Sequence, residues 1–197
     1  MIAPTVPGFN DALVILDIFG IAVFAVSGAM LAAQRKLDFV TFVFFAAVTG
    51  VGGGTVRDLL IGAPVFWVST NATLLICICA ALAVWFVRSH RLNTKAIAWF
   101  DAAGLVAYAT YGSAKAMGYG VAPVPAFAMG VLTACFGGIV RDVLAGEPSI
   151  LMKRELYVTA AALAAGLFVG LSLAGAALWP AAAIAVAAGF ALRAGAI

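Results

Sequence analysis

"GVGGGTVRDLLIGAP" (Gly50–Pro64) returns in altered form as "ACFGGIVRDVLAGEP" (Ala134–Pro148), displaced by 84 residues without a gap. From Thr49 to Pro64, nine of sixteen positions are identical: Thr49, Gly53, Gly54, Val56, Arg57, Asp58, Leu60, Gly62 and Pro64. At the same displacement Asp17, Gly20, Ala25 and Gly28 fall on Asp101, Gly104, Ala109 and Gly112, so the repeat extends well upstream of the quoted stretch. Each copy places glycines and an adjacent Arg-Asp pair inside apolar sequence, and the composition says what kind of apolar sequence it is.

Of 197 residues, 65% are hydrophobic and 10% charged, with a mean hydropathy of +1.16; a soluble domain carries about 25% charged residues. A soluble fold of this length has too little interior to hide that much apolar surface, which leaves the bilayer. Cutting at charges and at Pro/Gly clusters gives seven runs near the roughly 20 residues that a membrane helix needs. They cover 12–33, 39–60, 65–87, 96–117, 123–144, 156–173 and 179–192. The expected fold is therefore an all-α membrane protein with seven transmembrane helices in one domain. Repeat one occupies about 12–87, repeat two about 96–173, and an accessory helix about 179–192 has no partner in the repeat.

Three spans per repeat is an odd number, so the second copy enters the membrane from the opposite side. Loop charges agree with this inversion. Arg35 and Lys36 map onto Tyr119 and Gly120, whereas Ser69 and Thr70 map onto Lys153 and Arg154. Lys and Arg accumulate in cytoplasmic loops. Basic residues at 35, 36, 88, 91, 95, 153, 154 and 193 alternate with loops around 62–67, 118–125 and 174–178 that have none. This places the N-terminus outside, the C-terminus in the cytoplasm and the chain in the cell (inner) membrane. No Lys or Arg precedes residue 35, and Asp11 and Asp17 lie in the first stretch, so it reads as a retained helix rather than a signal peptide. Trp67, Trp99 and Trp179 fall near span ends, as interface anchors do.

Inverted repeats with interrupted helices characterise proteins that pass solutes or ions through a bilayer, with the path near the repeat interface. Glycine within a span permits non-helical dihedrals, so Gly52, Gly53 and Gly54, with Gly137 and Gly138, are expected to kink or unwind runs two and five. Close helix packing is the other use of small residues in membranes. Two symmetry-related clusters, each followed by Arg-Asp, favour a pathway. Ionisable groups inside spans face the protein interior or water and mark function by default. Asp17 shares the depth of Arg57, and Asp101 that of Arg141, so both pairs are expected to meet across helices, either lining the path or clamping it. If the pairs are clamps, Asp58 and Asp142 are simply wetted at the interface; if they line the path, both carboxylates belong to it as well.

Lys115 has Leu31 as its repeat counterpart and is expected to snorkel to the interface, the alternative being a pore-lining place where it gates or repels ions. Ser27, Thr49, Ser113 and Thr133 can offer hydroxyls to a wet path or bond back to their own helices, the commoner fate. His90, Glu147 and Glu155 read as solvated loop residues. Cys77, Cys79 and Cys135 all lie in apolar runs and read as small core hydrophobes rather than a disulfide or metal site.

Other classes of function lack their residues. "GVGGGT" has no preceding soluble strand and no Gly-Lys-Ser/Thr, so it is no phosphate loop. The spans hold no paired His, Glu-rich cluster or Ser/His/Asp set for catalysis or metal binding. No basic stripe interleaved with aromatics points to nucleic acid. An enzyme is not expected, nor any cofactor.

Two copies of a three-span unit, each with "GGGTVRD" or "FGGIVRD", plus a seventh helix, resemble the prokaryotic branch of the trimeric intracellular cation (TRIC) channels. The resemblance covers essentially the whole chain. It implies a homotrimer in membrane lipid, with a pore in each protomer bounded by kinked second and fifth helices and conducting monovalent cations, chiefly potassium. The same repeat is also known as a glycine transporter domain, which implies the alternative of a secondary transporter for a small amino acid. The family's kink glycines fall on Gly52–Gly54 and Gly137–Gly138. Phe136 stands where the first copy has Gly52, which implies a tighter second kink. The animal members' Lys-Glu-Val motif does not occur, so no lipid-binding or voltage-sensing role passes to Lys115.

Overall fold

The computed structural model describes residues 9–87, 94–149 and 156–197, with the side chains of 9–12 and 94 left aside. Arg88, His90, Arg91, Lys153, Arg154 and Glu155, read above as loop residues, lie outside the described residues. Seven helices appear among the described residues and no strand: α1 (Phe9–Gln34), α2 (Phe39–Leu60), α3 (Asn71–Val87), α4 (Thr94–Gly118), α5 (Pro123–Leu144), α6 (Tyr157–Leu173) and α7 (Leu178–Ala194). Helices α1, α2 and α5 are long and apolar enough to span. Helices α3, α6 and α7, at 17 residues each, lie at the short end of what crosses a bilayer.

Local chemistry fixes the ends. Asp38 caps α2, its carboxylate accepting from the Thr41 backbone N–H at 2.9 Å. Pro123 opens α5, where a missing N–H leaves nothing unsatisfied. Gly62 and Gly146, each other's counterparts, follow the C-termini of α2 and α5 with φ of +68° and +67°, a backbone state that strains any side chain.

The inversion is visible in contacts that map onto one another under the 84-residue shift. Phe24 on α1 faces its own counterpart, Tyr108 on α4, with ring centroids 5.4 Å apart. At the crossing of α2 and α5, a Cβ on Gly53 would collide with the Thr133 carbonyl, and one on Gly137 with the Thr49 carbonyl. These two contacts are images of each other. α1 packs on α4 and α2 on α5 around one pseudo-two-fold axis, α3 and α6 flank them, and α7 lies against α4 and α6. The two inverted three-helix repeats and accessory seventh helix expected from sequence are present.

The glycines do not unwind their helices. α2 and α5 run as continuous helix through Gly52–Gly54 and Gly137–Gly138, none of which has positive φ. Close approach explains Gly53 and Gly137: the two backbones touch where a side chain would stand between them. A second correction concerns run three, expected from residue 65. Val65–Thr70 instead forms a turn outside the helix, and α3 begins at Asn71.

Candidate functional site

Charged residues in the helices gather into two clusters, one at each end of the α2–α5 crossing. On α4, Asp101 and Lys115 mark the two levels; they are 14 residues apart by number, roughly 21 Å along the axis.

The cluster of repeat two is tightly closed. Arg141 Nη1 donates to Asp101 Oδ1 and to Ser27 Oγ, both at 2.5 Å, and Arg141 Nε donates to Asp142 Oδ1 at 2.9 Å. Arg141 and Asp101 are 3% and 0% exposed, so this ion pair is desolvated and holds α1, α4 and α5 together. Tyr157 of α6 is buried against it, and across the Tyr157 ring lies the buried guanidinium of Arg193 at 5.4 Å. Arg193 is therefore a clasp between α7 and repeat two. Counted above among the basic residues that set orientation, Arg193 is fully buried.

The cluster of repeat one has the same ingredients wired differently. Arg57 Nε and Nη2 both donate to Asp58 Oδ1, at 2.9 and 2.8 Å, and all of this is fully buried. Lys115 Nζ reaches both oxygens of Asp58, at 2.8 and 3.0 Å. Lys115 thus turns inward instead of snorkelling, and Asp58 is enclosed instead of wetted. Asp142, 6% exposed, is likewise enclosed.

The expected Asp101–Arg141 contact forms, whereas Asp17 and Arg57 make no ion pair within 4 Å among the described residues. The substitutions between repeats give the reason. Where Arg141 meets Ser27, the counterpart Arg57 meets Tyr111, whose ring lies 4.9 Å from the guanidinium. Where Leu31 stands in repeat one, Lys115 stands in repeat two and takes up Asp58. Asp17 lies nearby, with Oδ1 buried and without a hydrogen-bond partner among the described residues.

Hydroxyls line the region between the clusters. Thr49 and Thr133, both fully buried, bond back to the carbonyls of Phe45 and Met129 at 2.7 and 2.5 Å, the local fate considered above. Ser113 is buried with an unpartnered hydroxyl facing Gly130. A Cβ on Gly52 would sit 3.9 Å from Gly137 Cα, an ordinary contact, whereas Gly54 and Gly138 lie against Phe66 and the Tyr157 hydroxyl.

Several partners were not legible in the sequence. Tyr108 donates to the Gly50 carbonyl at 3.0 Å, and Phe66 and Tyr111 wall the Arg57 cluster. Apolar flanks disguise Phe66 as lipid-facing. Only the 84-residue shift, which pairs Tyr111 with Ser27, carried a hint. The half-buried Trp67 indole N–H donates to Thr55 Oγ1 at 2.8 Å, a partner its reading as an interface residue did not include. Cys79 is exposed on α3, unlike the buried Cys77 and Cys135.

Fold and site define a class: a polytopic membrane protein of inverted repeats, with buried ion clusters at both ends of a central helix crossing. The family described as "Glycine transporter" matches residues 14–89 and 98–173, and the chain belongs to it. The UPF0126 membrane protein of Vibrio cholerae is 43% identical over 158 residues, 77% of this chain and 64% of that protein. The chain thus spans less than two thirds of that relative's length. The UPF0126 inner membrane protein YadS of Escherichia coli K12 is 40% identical over 148 residues, 74% of this chain and 72% of that one. Among solved structures, the TRIC trimeric intracellular cation channel orthologue from Rhodobacter sphaeroides is 44% identical. It has a TM-score of 0.89 over 93% of this chain and 95% of its own. A prokaryotic TRIC channel crystallised in 0.5 M KCl is 27% identical at the same TM-score, over 95% and 96%.

Proposed function

We propose that this chain is a cation channel of the inner membrane, conducting potassium through a pore in each protomer of a homotrimer. The observation that carries this reading is the pair of buried charge clusters at opposite ends of the α2–α5 crossing. Buried ionisable groups are expensive in a membrane and persist where ions or water are handled. Carboxylates of Asp17, Asp58, Asp101 and Asp142 supply negative potential along the route, and Arg57, Arg141 and Lys115 hold them in place. The glycines make α2 and α5 easy to bend at their contact, which lets the crossing kink and widen without breaking side-chain packing. The likeness to solved cation channels supports the ion, the trimer and the membrane setting. No cofactor and no catalytic step enter this reading; lipid surrounds the trimer, and nucleic acid is not a partner.

The second reading is a secondary transporter of a small amino acid such as glycine, favoured by the family's description and by the inverted repeat itself. Reconstitution in a planar bilayer under a potassium gradient separates the two. A channel gives unitary currents that fall when Arg57 and Asp58 are neutralised. Saturable glycine counterflow without any current would replace the first reading with the second.

A further inference from the structure

The turn between α2 and α3 does not simply connect two helices. It folds back over the Arg57 cluster and is held there at several points. The Ala63 N–H donates to the Asp58 carbonyl at 2.8 Å, and the Phe66 N–H donates to Asp58 Oδ2 at 3.1 Å. The Phe66 ring lies 5.9 Å from Arg57 Cζ and 5.6 Å from Lys115 Nζ. It also covers Gly54 so closely that a Cβ there would stand 2.6 Å from the ring edge. Next to it, the Trp67 indole is tied to Thr55 on α2.

We propose that Phe66 is the constriction residue at the α2–α3 mouth of the conduction route, a lid over the Asp58 cluster latched by the Trp67–Thr55 hydrogen bond. This rests on the conduction reading above. Beneath the ring Arg57 and Asp58 are fully buried, while Lys115 keeps 14% of its side chain exposed beside it. A hydrated cation approaching Asp58 from this end must therefore displace the ring. Cation–π attraction to Arg57 and Lys115 favours the closed position. The Trp67–Thr55 latch is a neutral hydrogen bond, the weaker kind, and holds the side chains of the lid, while the Phe66 N–H to Asp58 bond anchors its backbone. In sequence, repeat two does not repeat these residues: Thr55 corresponds to Ile139, which has no hydroxyl, and Phe66 and Trp67 correspond to Ile150 and Leu151.

The test reads accessibility first and current second. In a Cys79→Ser background, Lys115→Cys is labelled in vesicles with a membrane-impermeant charged thiol reagent, applied to each face in turn. Adding Thr55→Val, which keeps shape and removes the latch, raises the labelling rate by about two- to tenfold, the range that a lost neutral hydrogen bond allows. Adding Phe66→Ala raises it further. The same Thr55→Val and Phe66→Ala changes are then made with Lys115 intact and recorded in bilayers, where they lengthen openings or enlarge the unitary current. Unchanged labelling in both variants, with unaltered melting of the detergent-solubilised protein, overturns the lid; so do wild-type currents that neither change alters. Raised labelling with no current from any variant leaves the lid standing and removes the conduction reading instead.

Discussion

Arg57 and Arg141 occupy equivalent positions in the two repeats and yet pair differently, because what surrounds an arginine decides where its planar fork points. Arg141 bridges Asp101, Asp142 and Ser27, joining three helices, whereas Arg57 donates to its own neighbour Asp58 and leaves Asp17 aside. A double-mutant cycle on Asp101 and Arg141, read by thermal unfolding in detergent, is expected to show strong coupling. Removing Asp101 alone costs up to about 3–5 kcal/mol, the range for breaking a buried pair, reduced by what Asp142 and Ser27 still offer the guanidinium. The same cycle on Asp17 and Arg57 is expected to couple more weakly, because no direct ion pair joins the two side chains and Arg57 directs its donors to Asp58. Equal coupling in the two cycles would refute the asymmetry. The charged residues themselves were legible because ions inside apolar spans stand out. Their partners were not, because Tyr111 and Lys115 are departures from the repeat whose effect depends on helix phase and on the turn at Phe66.

At the scale of single helices, α2 and α5 match the sequence-derived bounds residue for residue, since charges, Pro123 and the glycines at 62 and 146 mark their ends. The start of α3 was hidden because "VFWVST" is apolar enough to look like a span, while its backbone and indole are used to cover the Asp58 cluster. The glycines were legible as special and misread in part: at Gly53 and Gly137 they serve contact between α2 and α5. Gly53→Ala and Gly137→Ala should each destabilise the fold by about 1–3 kcal/mol, the usual penalty of overpacking. Gly52→Ala, whose Cβ would meet Gly137 at an ordinary contact distance, should melt as the wild type does. Comparable losses at all three would mean that flexibility, and not contact, is what the glycines provide. Asp38 gives α2 a pH-dependent start. Its hydrogen bonds from the Thr41 N–H and hydroxyl hold the carboxyl below its ordinary range. A lowered folded pKa means that the contribution is complete above the ordinary carboxylate pKa and fades as pH falls through the lower, folded value. The protection of the first-turn amides of α2, taken relative to the intrinsic exchange rate at each pH, should therefore fall at acid pH in the wild type, giving exchange that is fast for that pH. Asp38→Ala should show the fast exchange already at neutral pH.

For the molecule as a whole, the odd number of spans per repeat sets the two halves against each other, and a count of seven spans predicts termini on opposite faces of the membrane. One exposed contact ties the ends that share a face: Arg35, after α1, meets Glu147, after α5, at 2.5 Å. Those two loops therefore lie together, on the side that the positive-inside rule assigns to the cytoplasm. Arg193, being buried, adds little to that assignment; the exposed Arg35 and Lys36 carry it, together with the basic residues near 88–95 and 153–154. A reporter that fluoresces only in the cytoplasm should be bright when fused after Ile197 and dark when fused before Met1. Replacing Arg35 and Lys36 with glutamine should weaken this bias, whereas Arg193→Gln should leave orientation intact and lower the melting temperature by loosening α7 from Tyr157. Bright signal from both fusions would mean an even number of crossings or a mixed population, and the inverted arrangement in a single orientation would have to be abandoned.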